Sequence, residues 1–159
     1  MMVFIELLIL LVVANGAPVL LRYLRGAHGL PLDGGLTLGD GQHILGASKT
    51  WAGLLVALIS TAAVSALLGM GWLFGLLFGA VAMVGDLLSS FIKRRLGFDP
   101  SARARWLDQL PEALLPVFLA MGMRDVGWIP ALSAAAAFTL LNVWGSPLLY
   151  RLGIRHRPH

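Results

Sequence analysis

Apolar residues arrive in five blocks separated by short polar breaks. Met1–Leu21 carries a single charge, Glu6; Trp51–Leu68 carries none; Gly71–Ile92 carries only Asp86. Val126–Leu149 is uncharged, and the weakest block, Leu114–Met123, reaches helical length only when counted back through Pro111 to Leu107. A bilayer's hydrocarbon core, about 30 Å thick, takes about 20 apolar residues per helical crossing. The blocks predict an all-α integral membrane protein with five transmembrane helices, the fourth shortened or kinked by Pro111 and Pro116. Gly69-Met70-Gly71 leaves room only for a tight turn between the second and third.

Composition supports this reading. Of 159 residues, 58% are hydrophobic and 13% charged, whereas soluble domains carry about 25% charge. Too little polar surface exists for a soluble globular protein, a disordered chain or a nucleic-acid binder, despite a sequence pI near 10.4. The length fits one membrane-embedded domain over residues 1–159. With no cysteine there is neither a disulfide nor a thiolate metal site. The first block has no basic start, and Ala14-Asn15-Gly16-Ala17 does not match an A-x-A cleavage site, so it is read as a retained helix.

The basic residues set orientation. Arg22, Arg25 and Lys49 bracket the first long loop, and Lys93, Arg94, Arg95, Arg103 and Arg105 fill the link between blocks three and four. Arg151, Arg155 and Arg157 follow block five, so of the 12 basic residues only Arg124 stands on the opposite side. The positive-inside rule then predicts an external N-terminus, a cytoplasmic C-terminus and cytoplasmic loops at about 22–50 and 93–107. The same reading predicts a multi-pass protein of the cell membrane.

Candidate chemistry crowds onto the cytoplasmic side. Arg22–Thr50 holds Gly26, Gly29, Gly34, Gly35, Gly39, Gly41 and Gly46, with Asp33, Asp40, His28, His43 and Lys49. Glycines let backbone amides approach an anion, Lys49 adds a charge, and a helix N-terminus starts at Lys49-Thr50. A flexible loop with turn glycines accounts for the same composition. The run Gly46–Thr50 is not a Walker A motif, lacking its second glycine and preceding strand. Asp86, buried in a membrane helix at a cost of about 2.5–3.5 kcal/mol, needs a polar cavity and a partner. Ser89 and Ser90 lie a turn further on, and Lys93 returns to the Asp86 face. That stripe reads as a functional track or as an ion pair, and Lys93-Arg94-Arg95 also reads as a headgroup anchor. Asp108 and Glu112 share a helix face, with a helix N-cap as the plain alternative for Asp108. Two carboxylates from different helices beside Lys and Arg suit Mg²⁺ holding phosphates. No His/Cys set has zinc spacing, and no serine has an evident triad partner. Asn15-Gly16-Ala17-Pro18 is expected to interrupt the first helix, either as a plain proline kink or with Asn15 facing a site.

Five motifs occur in order: Asn15-Gly-Ala-Pro18, Pro31-Leu-Asp33-Gly-Gly35, Gly46-Ala-Ser-Lys49-Thr50-Trp51-Ala-Gly53, Gly85-Asp86 through Ser90 to Lys93-Arg94-Arg95-Leu-Gly97, and Leu107-Asp108-Gln109-Leu110. Together they resemble the CDP-archaeol synthase family, small five-helix relatives of the CDP-diacylglycerol synthases, and the likeness runs from Asn15 to the tail around Tyr150–Pro158. The resemblance implies transfer of CMP from CTP to the phosphate of a membrane lipid, phosphatidate-like or an archaeal ether lipid, with Mg²⁺ as cofactor and release of pyrophosphate. It implies Asp86 and Asp108 as metal carboxylates, with Asp33 as a lesser candidate, and catalysis by Asp86, Lys93 and Asp108. Nucleotide and phosphates would be held by Lys49, Ser90, Arg94, Asp33, Gly34, Gly35 and Asn15. A homodimer is compatible with the chain. Two readings from other classes stay open. One is a small transporter or channel subunit using Asp86; the other is a non-enzymatic scaffold that binds anionic lipid.

Overall fold

The computed structural model describes residues 2–26, 29–98 and 105–151, and for residues 105 and 144–151 the backbone alone. The expectations placed on His28, Arg103 and the tail beyond Arg151 lie outside the described residues. Five helices follow one another: α1 (Met2–Arg25), α2 (Trp51–Leu67), α3 (Trp72–Arg95), α4 (Arg105–Arg124) and α5 (Trp128–Arg151). Among the described residues, α1 and α3 are each long and apolar enough to cross a membrane. Exposed leucines, isoleucines and valines such as Ile9, Ile59, Val84 and Leu141 lie on the outside of the bundle. Apolar surface on that scale suits lipid rather than water.

One expectation is corrected and another is sharpened. The Asn15–Pro18 motif does not interrupt the first helix, which runs unbroken through Pro18. The Asn15 side-chain amide donates to the Leu11 carbonyl at 3.0 Å, a local bond that needs no break in the helix. The weak fourth block proves to be a full 20-residue helix with both Pro111 and Pro116 inside it. Its polar first turns belong to the helix because neighbouring helices pack them, which a hydropathy count does not register.

Small residues set the helix spacing, as expected where lipid removes most of the hydrophobic drive for helix association. A Cβ built on Gly75 would lie 2.3 Å from the Ser65 Cβ and 2.5 Å from the Thr61 carbonyl oxygen, so α2 and α3 touch backbone to backbone. At Gly85 the same atom would come within 2.4 Å of the Pro111 carbonyl oxygen and 2.7 Å of the Glu112 nitrogen. This second contact seats α4 directly on the residue before Asp86. The core runs through Leu7, Leu10 and Leu11 of α1, Phe74 and Phe78 of α3, Val117 of α4 and Phe138 of α5.

The link between α2 and α3 is the expected tight turn, with Gly69 and Gly71 at φ +74° and +85°. Arg124 closes that end. Its guanidinium donates to the Met70 carbonyl at 2.8 Å and lies over the Phe74 ring.

Candidate active site

The first long loop folds on itself. Leu38 donates to the Gln42 carbonyl and Ile44 to that of Leu36, forming a small hairpin around an isolated Thr37–His43 bridge. Its base is closed by Leu32 and Trp51 amides donating to the Lys49 and Leu30 carbonyls. Asp33 is the knot. Its carboxylate accepts from the backbone amides of Gly35 (3.0 Å), Leu45 (2.9 Å) and Gly46 (2.8 Å). Burial alone would raise the Asp33 pKa, but the Gly46, Leu45 and Gly35 amides together outweigh it, helped by His43, and hold the carboxyl below its usual value. Gly46, at φ +92°, adopts a conformation that favours glycine and so presents its amide to Asp33.

Arg95 fastens the hairpin to the end of α3. It pairs with Asp40 at 2.5 Å and donates to the His43 carbonyl at 2.7 Å. Asp40 is held below its usual pKa chiefly by the Gln42 amide, with Arg95 adding to the effect. Arg94 is buried against the same loop, its Nε 4.0 Å from where a Gly46 Cβ would stand, and donates to the Phe98 carbonyl.

Lys49 ends the loop beside the N-cap of α2, where the Thr50 hydroxyl accepts from the Gly53 amide at 3.2 Å. From there its ammonium reaches both oxygens of Asp86, at 2.6 and 2.5 Å. The cation on Asp86 is therefore Lys49 rather than Lys93. Seven residues along a helix is a rise of about 10 Å, so sharing a face does not bring Lys93 close. Lys93 instead pairs with Asp108 of α4 at 2.5 Å. Glu112 stands one turn beyond Asp108 on α4, its backbone nitrogen 2.7 Å from where a Gly85 Cβ would lie, beside Asp86. Two Lys–Asp pairs, with Glu112 on the neighbouring turn, thus stand where the start of α2, the end of α3 and the start of α4 converge.

Ser90 is buried one turn beyond Asp86, between it and Arg94. Asn15 lies on α1 three residues before Pro18, which approaches α2 at Gly53; the Asn15 Oδ1 is buried without a partner. Gly35 donates its amide to the Asp33 carboxylate and Gly34 to the Pro31 carbonyl, so their hydrogen bonding is spent on the loop itself. Sequence reasoning gave no role to Glu112 or Gln109. Gln109 is buried with its Oε1 unpartnered, and the signal for Glu112 was its four-residue spacing from Asp108.

Among the described residues, no three His, Asp or Glu side chains form a protein-only metal cage. Asp86 of α3 and Asp108 of α4 are a donor set that would suit Mg²⁺, which takes one or two carboxylates and fills its octahedron with phosphate oxygens and water.

A family profile described as CarS-like, CDP-archaeol synthase, matches residues 1–158. The chain belongs to the CDP-archaeol synthase family. It is 40% identical over 152 residues to the CDP-archaeol synthase of Sulfolobus acidocaldarius, covering 92% of this chain and 90% of that one. The Aeropyrum pernix CDP-archaeol synthase is 37% identical over 158 residues, covering 92% and 85%. A solved structure described as an intramembrane enzyme for archaeal membrane lipid biosynthesis superposes with a TM-score of 0.75 at 31% identity, over 89% of this chain and 90% of that one. Membership makes this chain a membrane enzyme of the CTP-dependent lipid cytidylyltransferase type.

Proposed function

We propose that this protein transfers CMP from CTP to the phosphate of an archaeal ether lipid, giving a CDP-activated lipid and pyrophosphate. The observation that carries this reading is the convergence of the Lys49–Asp86 and Lys93–Asp108 pairs at one end of the bundle. A lipid phosphate oxygen attacks the α-phosphorus of CTP; the bond from that phosphorus to the bridging oxygen breaks, and pyrophosphate leaves with the electron pair. Little covalent chemistry falls to the protein, so catalysis is positioning and charge neutralisation.

Asp86 and Asp108 are the residues that would hold Mg²⁺, which supplies charge neutralisation between the carboxylates and the triphosphate. Lys49 and Lys93 exchange their carboxylate partners for phosphate oxygens as substrates enter. Ser90 and Asn15 line the nucleotide side. Asp33, Gly34, Gly35 and Arg94 act by holding the loop that carries Lys49. The proposed topology has five spans, an external N-terminus and the site facing the cytoplasm of the cell membrane, supported by the side on which Arg22, Arg25, Lys49 and Lys93–Arg95 gather. A transporter would spread polar residues toward the bilayer midplane, and a scaffold would have no use for paired Lys–Asp contacts inside a bundle.

The test is incubation of purified protein with labelled CTP, Mg²⁺ and lipid phosphates of ether and ester linkage. CDP-lipid should form, and form faster with the ether acceptor. Failure to label any lipid phosphate overturns the reading; equal rates with an ester acceptor move the substrate to phosphatidate-like lipids.

A further inference from the structure

Four tryptophans stand at helix starts: Trp51 opens α2, Trp72 opens α3, Trp106 is second in α4 and Trp128 opens α5. All four are more than half exposed, from 52% at Trp51 to 65% at Trp106. Large exposed indole rings in a membrane protein mark the two water–lipid boundaries. Because successive helices run in opposite directions, Trp51 and Trp106 fall at the end holding the candidate site, and Trp72 and Trp128 at the other.

Packing contacts fix which residues of α3 share the level of each tier. Gly75 meets Thr61, Ala62 and Ser65, and Gly79 meets Thr61 and Ala57. Continuing that antiparallel register sets Trp51 beside Asp86 and its successor on α3. On the other side Gly85 meets Pro111 and Glu112, which by the same register sets Trp106 beside Ser90. From Trp72 to the Asp86 and Ser90 levels is a rise of about 21 and 27 Å, comparable with the roughly 30 Å of a hydrocarbon core.

We infer that Trp51 and Trp106 are positioning residues that dock the protein on the headgroup layer at the depth of the Lys49–Asp86 and Lys93–Asp108 pairs. The partner of this surface is the bilayer's own interface. A lipid phosphate then meets the site at its native depth, its chains still in the membrane, and need not be lifted into water. Leu30 belongs to the same collar: it is 78% exposed, and its carbonyl accepts from the Trp51 amide. The kinetic part of this inference rests on the proposed lipid-phosphate acceptor; the depth itself does not.

The experiment uses full-length protein in phosphatidylcholine vesicles, as variants that each keep one of the five tryptophans. Lipids brominated near the glycerol or near the chain end report depth by quenching. Trp51 and Trp106 should both be quenched best by the shallow bromine, as should Trp72 and Trp128. Stronger quenching of Trp51 or Trp106 by the chain-end bromine, or quenching only by aqueous iodide, overturns the inference. A second measurement compares wild type with Trp51→Ala/Trp106→Ala on acceptor in bilayers and in detergent micelles. Since each ångström of mismatch costs a fraction of a kcal/mol, the ratio of kcat/KM in bilayers to that in micelles should fall several-fold, through KM. Equal losses in both media reduce the tryptophans to packing residues and overturn the positioning role. Wild type without turnover, yet with the shallow quenching pattern, would remove the proposed reaction while leaving the depth intact.

Discussion

The two ends of α3 are built by opposite rules. At its start, every polar contact described is closed: Arg124 caps the Met70 carbonyl, and the Ser65 hydroxyl donates to the Gly71 carbonyl at 2.8 Å. At its finish, Arg94 Nε and Arg95 Nε are buried without partners, and Gln109 Oε1 is likewise open on the neighbouring α4. The same end gathers Lys49 from the loop, Asp86 and Lys93 from α3 and Asp108 from α4. One end is satisfied and tolerates no addition; the other holds polar capacity in reserve, as a site that must exchange partners with a ligand requires.

Substitutions can break this contrast. The largest effect is expected from Asp86→Asn, which keeps shape but removes the charge that would hold the metal. Activity should fall at least about 10²–10³-fold, by analogy with loss of one charge-stabilising group, while expression and folding stay normal because an amide is cheaper than a carboxylate in lipid. Full activity in this variant would make Asp86 a tolerated polar residue, and an unfolded protein would make the Lys49–Asp86 pair structural. Next in size is ligand linkage. CTP at about 100 times its Kd should stabilise the protein by about 2.7 kcal/mol, and only with a divalent ion present, since the Asp86 and Asp108 carboxylates otherwise repel the triphosphate. Equal thermal shifts in EDTA would reduce the site to simple anion binding.

At the satisfied end the expected effect is on stability. Gly75→Val drives a side chain into Ser65 and Thr61 and should lower unfolding free energy by about 1–3 kcal/mol, read by denaturation in detergent, with turnover per folded molecule unchanged. A parallel loss of turnover would show that the two ends are coupled. The smallest effect concerns Asp33. Its folded pKa is depressed, so its contribution to loop stability is complete above the ordinary aspartate value of about 3.9 and is lost only as pH falls through the lower folded value. Hydrogen-exchange protection of the Leu45 and Gly46 amides should persist down to about pH 4; loss of protection near neutrality would remove Asp33 as the knot.

The helices were legible because apolar runs of membrane length need no tertiary information: α1, α2, α3 and α5 begin or end within a few residues of their blocks. What hydropathy could not show was contact. Choosing Lys49 over Lys93 for Asp86 depends on the α2–α3 register, set by the backbone approach at Gly75 and Gly79. The hairpin was hidden for a different reason. Its glycines permit many paths, and only the long-range bonds from Leu45 and Gly46 to Asp33 select one. Glu112 was visible as a spacing but not as a member of the cluster, because Gly85 gave no hint that α4 would sit on top of it.

The order in which partners occur along the chain carries a consequence for biosynthesis. Lys49 precedes α2 and α3, so it is already made when Asp86 emerges, and the tight Gly69–Gly71 turn lets the two helices enter lipid as one hairpin with that carboxylate matched. Lys93 has no such advantage, since Asp108 is synthesised after it. Nascent chains halted just beyond α3 should therefore hold Asp86 stably in the membrane while leaving Lys93 at the surface, and the assembled site appears only when α4 closes over Gly85.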